Sequence, residues 1–184
     1  YGETILRSAI AQSRRRQSLV SCFGDDKKTL MLEMEVFDPL EVMSEVHREA
    51  RLLSPAHRFE LNPAQNARIS ADKGMIKQLM RILVDNAIKY TPAGGSITLG
   101  VRRDGSSCYL SVTDTGAGIS AEDLPKVFDR FYRCDEARKS QTSGHGLGLS
   151  IARIIVSAHG GHLRVRSKVG VGTTFTACLP LEKS

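Results

Sequence analysis

The amino-acid sequence predicts an α+β fold, a two-layer sandwich in which helices cover one mixed β-sheet. Apolar residues recur at helical spacing in three segments after residue 38, and short segments with alternating apolar and polar residues lie between them. Two alternating segments, 96–101 and 108–113, are joined through Arg103-Asp104-Gly105-Ser106, a turn sequence that predicts an antiparallel hairpin. Paired strands interleaved with helices indicate the α+β class.

The first elements are expected to be a helix, a strand and a second helix. Apolar residues occur at helical spacing over 3–23, and Gly24-Asp25-Asp26 supplies a stop. Residues 31–37 alternate as a strand. Asp38-Pro39-Leu40-Glu41 then gives an N-cap, a proline at the first helical position and a glutamate at the third, which predict a helix to about Leu53.

The central helix is expected to begin near Asp72. It carries a continuous apolar stripe formed by Ile76, Leu79, Met80, Leu83, Val84, Ala87 and Ile88. The remaining expected elements are short strands at 58–61 and 67–70, a last helix over 147–158, and closing strands at 163–167 and 173–179.

Length and composition suit one domain with a short appendage. The chain has 184 residues, of which 41% are hydrophobic and 25% charged. No apolar run approaches the roughly 18 residues that a membrane span needs, and no signal peptide is visible. Because the first residue is Tyr1, we expect a cytoplasmic fragment of a longer protein, and a membrane anchor upstream is left open.

Charge and cysteine usage exclude two classes of site. The net charge is +6, but the aromatic fraction is 5% and Arg14-Arg15-Arg16 is the longest basic run, so no nucleic-acid partner is expected. Four scattered cysteines, without a C-x-x-C pair, predict reduced thiols and no zinc site. Cys108 and Cys178 lie in apolar alternations and are expected to be buried.

Two polar side chains lie off the apolar stripe of the central helix. Asn86 and Lys89 are three residues apart and therefore share a face that is free to meet a ligand. An amide oxygen suits Mg²⁺, which takes hard oxygen ligands and usually keeps waters and phosphate oxygens. Taken alone, the same residues fit a solvated helix end before the Thr91-Pro92 stop.

A carboxylate follows the second strand of the predicted hairpin, in Asp114-Thr115-Gly116-Ala117-Gly118-Ile119. At a strand end it can accept a hydrogen bond from the exocyclic amino group of adenine, and glycines let the backbone approach a flat ring closely. A plain turn is the alternative interpretation of these letters. Gly172-Thr173-Thr174-Phe175 lies near the end of the chain.

A glycine-rich segment, Gly144-His145-Gly146-Leu147-Gly148-Leu149, opens the last helix. Exposed amides and the positive end of the helix dipole make such a segment a ready phosphate site. Its spacing is neither a Walker loop nor a Rossmann fingerprint.

Together these motifs resemble the ATP-binding catalytic domain of sensor histidine kinases. The resemblance runs from about Asp72 to Leu179 and includes Phe128-Asp129-Arg130-Phe131-Tyr132-Arg133. It implies a Bergerat-type ATP-binding fold, with ATP and Mg²⁺ bound. It also implies that Asn86 holds the magnesium, that Lys89 and Tyr90 contact the phosphates and sugar, and that Asp114 reads adenine. The other implied ATP contacts are Gly116, Gly118, Ile119 and Thr173, then Gly144, His145, Gly146, Leu147, Gly148 and Leu149.

A polar segment, 133–143, lies between two of these motifs and is typical of a lid. Phe128 and Phe131 would anchor it to the core, and Arg130 or Arg133 could neutralise charge on the transferring phosphoryl group. The sequence departs from the family at Ile82, where a second asparagine is common, and at His145. We therefore expect no further magnesium or phosphate contact at Ile82, and we expect His145 to be a surface residue beside phosphate rather than a catalyst.

The accepting histidine is expected to lie upstream of Tyr1. The family places it in a His-Glu-x-x-Arg-Thr/Ser-Pro context, which is lacking at His47, His57, His145, His159 and His162. We therefore interpret residues 1–28 as the end of a dimerisation hairpin and residues 29–184 as the catalytic domain. The full protein would form a homodimer through that hairpin and relay the phosphoryl group to an aspartate of a response regulator.

Two rival functions fit the same ATP cradle. A serine kinase of the anti-sigma type is disfavoured by the Phe128–Arg133 segment, the predicted lid and the N-terminal helix. A nucleotide-driven ATPase of the gyrase, chaperone or mismatch-repair type uses a glutamate before the magnesium asparagine to activate water. Here Asp85 stands before Asn86, with a side chain short for that role.

Overall fold

The computed structural model describes residues 17–23, 26–64, 67–129 and 147–182. In chain order the elements are β1 (Gln17–Phe23), β2 (Asp26–Leu32), β3 (Met34–Phe37), α1 (Pro39–Leu53), β4 (Arg58–Asn62), β5 (Ile69–Asp72), α2 (Lys73–Tyr90), β6 (Ser96–Asp104), β7 (Ser107–Asp114), a short 3₁₀ turn (Leu124–Lys126), α3 (Gly148–Ala158), β8 (His162–Lys168) and β9 (Gly172–Pro180).

The main sheet has five strands in the order β4-β6-β7-β9-β8. β4 and β6 are parallel, whereas the other neighbours are antiparallel, so the sheet is mixed as predicted. Alternate residues of β6 and β7 are buried, including Leu99, Leu110 and Val112, and they pack under α1, α2 and α3. The opposite face of the sheet carries polar side chains. This two-layer arrangement confirms the predicted α+β sandwich.

Both long helices begin at aspartate caps, of which the sequence predicted the cap at Asp38 and a helix start near Asp72. The Asp38 carboxylate accepts from the Leu40 amide (2.9 Å), and the Asp72 carboxylate accepts from the Met75 amide (3.1 Å). Each cap satisfies an amide that has no partner within its helix, worth about 1 kcal/mol. The helices α1 and α2 therefore begin where the apolar stripes require them to begin.

Ion pairs fix α1 and α2 side by side. The paired residues are separated by 32 positions at each rung, which requires the two helices to run parallel. The rungs are Lys73–Glu41 (2.7 Å), Lys77–Glu45 (2.6 Å) and Arg81–Glu49 (2.8 Å). The hydrogen bond from Lys77 lowers the pKa of Glu45, and that from Arg81 lowers the pKa of Glu49. Because these pairs are exposed, they set orientation more than stability.

The N-terminal helix prediction was wrong for residues 17–23, which form β1 and pair antiparallel with β2. The segment also fits an alternating pattern of period two, and pairing with a second strand decides between the two periods. The rest of that predicted helix lies outside the described residues. The predicted division between residues 28 and 29 falls within β2 and stays a prediction.

The strand expected over 31–37 is divided at Glu33, and the strand expected over 67–70 is displaced to β5. The Glu33 amide donates to the Asp72 carboxylate (2.9 Å) rather than to a strand partner, which ends β2 there. β3 then pairs with β5, with Met34 opposite Asp72. Tertiary contacts at Asp72 therefore determine where β2 ends and where β5 lies. Neither position can be predicted from the neighbouring residues alone.

A buried histidine joins α3 to this junction. The Asp72 amide donates to His159 Nε2 (3.0 Å), and His159 Nδ1 donates to the Ile155 carbonyl (2.7 Å). This arrangement requires the neutral ring, and burial lowers the pKa of His159 below its usual value of 6.5. Because the pKa is depressed in the folded state, the associated stability is present above the unfolded pKa and is lost as the pH falls below it.

We therefore expect acid to destabilise the domain through His159. The midpoint of urea unfolding should fall between pH 7 and pH 5, because protonation breaks a buried hydrogen bond worth about 1–3 kcal/mol. In a His159→Gln variant this dependence should be reduced. His162 is exposed, so His162→Gln is the control and should keep the wild-type pH dependence. Equal pH dependence in all three proteins would contradict the assignment.

Candidate functional site

The end of α2 is held against the loop that follows β7. The Tyr90 carbonyl accepts from the Ala117 amide (3.3 Å), and the Thr91 carbonyl accepts from His57 Nε2 (2.6 Å). His57 Nδ1 in turn accepts from the Ser54 hydroxyl (2.6 Å). The last turn of α2 and residues 115–119 therefore form one unit. The two hydrogen bonds of His57 could not be predicted from the sequence, because its partners are a main-chain carbonyl 34 positions away and a serine hydroxyl next to a turn.

Close contact within this unit requires glycine. A Cβ atom on Gly116 would lie 2.3 Å from the Tyr90 carbonyl oxygen and 2.9 Å from an Asp114 carboxylate oxygen. A Cβ on Gly118, whose φ is +79°, would lie 2.3 Å from the Lys168 carbonyl oxygen. The Gly170 amide also donates to the Ala117 carbonyl (2.8 Å). The loop is thus pressed between α2 and the β8–β9 turn.

Asp114 is the buried carboxylate of this junction, with 5% of its surface exposed. Its Oδ1 accepts from the amides of Gly116 (2.8 Å) and Thr173 (3.3 Å). Within the described part of the chain Oδ2 has no hydrogen-bond partner. Burial raises the pKa of Asp114, and the two amide hydrogen bonds oppose that rise. The carboxyl group is therefore oriented by the fold and keeps one oxygen for a ligand.

Thr173 lies directly opposite Asp114 in the sheet. Its hydroxyl is 2.7 Å from the Ser167 hydroxyl, which donates to the Gly172 carbonyl (3.0 Å) and accepts from the Ile119 amide (2.7 Å). Because the Ser167 hydroxyl donates its proton to the Gly172 carbonyl, the Thr173 hydroxyl must donate to Ser167. The oxygen of Thr173 can then still accept a hydrogen bond from a ligand. Ser167 is a positioning residue that the sequence reasoning missed, because an alternating strand gives no sign of it.

Asn86, Lys89 and Tyr90 lie in the last two turns of α2, and each is at least partly exposed. Asn86 is half-buried, and its side-chain amide makes no hydrogen bond within the described residues. Lys89 is exposed, and its Nζ lies 3.4 Å from the Asp85 carboxylate, one turn earlier. Tyr90 is 40% exposed. An exposed ion pair of this kind is worth about 0.3–0.5 kcal/mol, so a phosphate can readily replace Asp85 as the partner of Lys89.

The start of α3 lies against the same stretch of α2. A Cβ on Gly148 would lie 3.4 Å from Ile82 Cγ2, and Ile82 is 8% exposed. Ile82, which stands where the family often has a second asparagine, is therefore an apolar packing group that offers no ligand atom. Leu147, Gly148 and Leu149 are half-buried at the helix start. The segment 133–143 lies outside the described residues. The same is true of five proposed site residues: Arg130, Arg133, Gly144, His145 and Gly146.

Three further side chains pack in or against the core. Phe128 packs edge-on against Phe175, with ring centroids 6.1 Å apart. Cys108 and Cys178 are buried, and burial raises the pKa of Cys108 to about 12. Across the described residues no three His, Cys, Asp or Glu side chains cluster as a metal site, and no helix is long and apolar enough to cross a membrane.

Residues 71–183 match the family described as histidine kinase-, DNA gyrase B- and HSP90-like ATPase. The chain belongs to this family. Within it, the similar proteins identify an ATP-binding catalytic domain of sensor histidine kinases, as the resemblance predicted.

Three similar proteins illustrate this relationship. The sensor-like histidine kinase SenX3 of Mycobacterium tuberculosis is 44% identical over 115 residues, covering 62% of this chain and 28% of SenX3. The sensor histidine kinase WalK of Bacillus subtilis is 42% identical, covering 66% of this chain and 20% of WalK. The sensor protein CiaH of Streptococcus pneumoniae is 41% identical over 77% of this chain and 30% of CiaH. The chain thus spans less than a third of these relatives.

Solved structures show the same fold. The mycobacterial sensor histidine kinase MprB superposes with a TM-score of 0.73 at 28% identity, covering 82% of this chain and 100% of that one. The catalytic domain of the histidine kinase ThkA gives 0.70 at 29% identity, covering 82% and 97%. Full-length ShkA in complex with AMPPNP gives 0.69 at 28% identity, covering 83% and 32%.

Proposed function

We propose that this domain binds Mg-ATP between α2, the 115–119 loop and the start of α3. In the complete protein it would transfer the γ-phosphoryl group to a histidine outside this chain, for relay to an aspartate of a response regulator. The observation that carries the proposal is Asp114, buried and oriented by two amides, with one carboxylate oxygen unused.

The base of the nucleotide would lie at Asp114 and Thr173. Asp114 Oδ2 would accept from the adenine amino group, and the Thr173 hydroxyl would meet the same end of the base directly or through water. Gly116, Gly118 and Ile119 would line this end with main chain. Because each of these residues is fixed by neighbours before a ligand arrives, little reorganisation is needed on binding.

The phosphates would lie between α2 and α3. Lys89 and Tyr90 would contact phosphate and sugar, and the amides opening α3 would face the phosphate chain: Gly144, His145, Gly146, Leu147, Gly148 and Leu149. Arg130 or Arg133 would neutralise charge on the transferring group. Transfer of this group depends on positioning and electrostatic stabilisation more than on covalent chemistry by the protein.

The residues present fit a magnesium ion that is bound largely by phosphate. The Asn86 amide supplies a hard, neutral oxygen on the ligand face and has no competing partner within the described residues. A bound Mg²⁺ would neutralise phosphate charge, with Asn86 as its protein ligand. Ile82, one turn earlier, supplies no second ligand.

We expect the affinity for ATP to depend on magnesium through Asn86. Asn86→Ala should abolish most of the affinity gained on adding Mg²⁺, a loss of about tenfold for one good ligand, equivalent to 1.4 kcal/mol. Calorimetry with ATP, with and without Mg²⁺, measures this gain. Gln78→Ala, two turns earlier on α2, is the matched control and should keep it. An equal gain in the wild type and Asn86→Ala would contradict the role.

The histidines of this chain are expected not to accept the phosphoryl group. Ring nitrogens of His57 and His159 are engaged within the fold, and His47 Nε2 lies 3.3 Å from the Phe59 carbonyl oxygen. Incubation of the isolated chain with γ-labelled ATP should therefore leave it unlabelled. An acid-labile, base-stable phosphate on any of its five histidines would contradict this.

The transfer itself can be tested in trans. The complete protein carrying Asn86→Ala would serve as the substrate, because its own domain is disabled while its acceptor histidine is intact. Adding this chain and γ-labelled ATP should label that protein, whereas adding this chain with Asn86→Ala should not. Absence of labelling while ATP binds normally would sink the kinase proposal and leave the binding site intact.

The arrangement of the complete protein is also a proposal. Homodimerisation would occur through a helical hairpin on the N-terminal side of β1, and the domain would work on the cytoplasmic side of a membrane. Support comes from the names of the similar proteins, which are sensor kinases, and from the short share of their length that this chain spans.

A further inference from the structure

The open face of the sheet carries a cleft behind the proposed base site. It has a volume of about 370 Å³, and its side chains come from three adjacent strands and from the turn beside them: Thr113, Thr115, Arg166, Lys168, Val171 and Thr174. Asp114 and Thr173 also border it. Their side chains turn to the helix-covered face, where the Asp114 carboxylate accepts from the Thr173 amide and the Thr173 hydroxyl bonds to Ser167. Asp114 and Thr173 therefore present only main-chain atoms to the cleft.

The hydroxyl groups of the cleft are aligned by strand register. Arg166 lies opposite Thr174, and Thr174 lies opposite Thr113, in one row across β8, β9 and β7. The Thr113 and Thr174 hydroxyls are 3.0 Å apart, so one of them keeps a proton to donate outward. The Thr115 hydroxyl accepts from the Ser96 amide (3.0 Å), which leaves its own proton available. The row therefore offers oriented donors.

The two cations of the cleft have no ion-pair partner within the described residues. Four other cations pair with carboxylates: Lys73, Lys77, Arg81 and Arg102. Arg58 and Arg164, on the same face of the sheet, also have no ion pair within the described residues, so the adjacent hydroxyl groups are what distinguish the cleft. Arg166 and Lys168 are two positions apart on β8, which places both side chains on one face about 7 Å apart. Two carboxylates on the same face lie away from the cleft: Glu60 is at the far edge of the sheet on β4, and Asp104 at the end of β6 pairs with Arg102.

We propose that this cleft is a binding site for a phosphate group. Two uncompensated cations with a guanidinium fork, together with two outward hydroxyl protons, match a dianion with several acceptor oxygens. A carboxylate would leave part of this donor set unused. The site is independent of the proposed ATP phosphates, which would lie between α2 and α3 on the other face of the sheet.

The test is a titration of the isotopically labelled chain with inorganic phosphate, followed by NMR at constant ionic strength. The amides of Thr113, Thr115 and Thr174 should shift with a saturable profile. Arg166→Ala/Lys168→Ala should weaken the binding at least about tenfold. The control Arg58→Ala/Arg102→Ala removes the same charge from the same face outside the cleft, and should keep the wild-type profile.

Two further ligands define the chemistry. Methyl phosphate distinguishes the sources of the group: binding like that of inorganic phosphate indicates a phosphate ester, and markedly weaker binding indicates the free ion. Acetate should give no saturable shift at these amides. Non-saturating shifts with phosphate, or equal affinity in both double variants, would overturn the site and leave Arg166 and Lys168 as charges that protect an edge strand from pairing.

Discussion

Replacement of Asp114 by alanine should lower the affinity for ATP by about ten- to a hundredfold. The adenine amino group would lose a hydrogen bond to a charged acceptor, which contributes about 1.5–3 kcal/mol, and 1.4 kcal/mol corresponds to one decade. The variant should gain no affinity for GTP. Competitive displacement of a fluorescent nucleotide by ATP and by GTP measures both affinities.

The wild-type domain should prefer ATP over GTP by at least about tenfold. Guanine places a carbonyl oxygen where adenine carries its amino group, so two acceptors would face each other, and an unpaired acceptor costs about 1–3 kcal/mol. Asp114→Asn should narrow this gap, because its amide offers a donor as well. Equal affinity of the wild type for ATP and GTP, or unchanged ATP affinity in Asp114→Ala, would reduce Asp114 to a turn residue.

The asparagine variant separates binding from folding. Burial raises the pKa of Asp114 in the folded state above its unfolded value of 3.8. The folding stability linked to the protonated carboxyl is therefore complete below pH 3.8 and is lost as the pH rises through the pKa of the folded state. At neutral pH the buried charge therefore costs stability. Asp114→Asn should be at least as stable as the wild type in urea while binding ATP less well, a combination that damage to the fold would not give.

The sequence specified the two long helices more fully than it specified the first strands. Caps at Asp38 and Asp72 and the stripe of α2 are local signals, so α1 and α2 were predicted closely. The hairpin β1–β2 depends on pairing between segments that each also fit a helix. The division at Glu33 depends on a carboxylate 39 positions away, which no window of neighbouring residues contains.

The site shows the same limit. Asp114, Asn86 and Gly116 were singled out because they lie in short motifs, at a strand end and on the polar face of a helix, and their roles stay predictions. Ser167 and His57 act through main-chain partners distant in sequence, and both are common residue types in ordinary positions. From the sequence, Ile82 was interpreted only as the loss of an asparagine that could bind magnesium or phosphate. Its contact with Gly148 shows that this side chain packs α3 onto α2.

Gly116→Ala should lower both the folding stability and the affinity for ATP, because it disrupts the contact between the 115–119 loop and α2. The added methyl group would lie 2.3 Å from the Tyr90 carbonyl oxygen, a main-chain atom that cannot move without shifting the end of α2. The loop must therefore withdraw, which breaks the hydrogen bond between the Ala117 amide and Tyr90 and moves the amide that orients Asp114. Overpacking of this kind costs about 1–3 kcal/mol of folding stability.

Affinity for ATP should fall further than stability does, because the displaced loop separates the base end of the site from Lys89 and Tyr90. We expect a loss of at least about tenfold, or 1.4 kcal/mol. Gly105→Ala is the matched control: it lies in the β6–β7 turn at a φ of +57°, and a Cβ there meets nothing within 4 Å. It should lose some stability to backbone strain and keep its ATP affinity. Urea unfolding and nucleotide displacement on both variants measure the two effects, and equal ATP affinity in Gly116→Ala and Gly105→Ala would show that the loop contact does not shape the site.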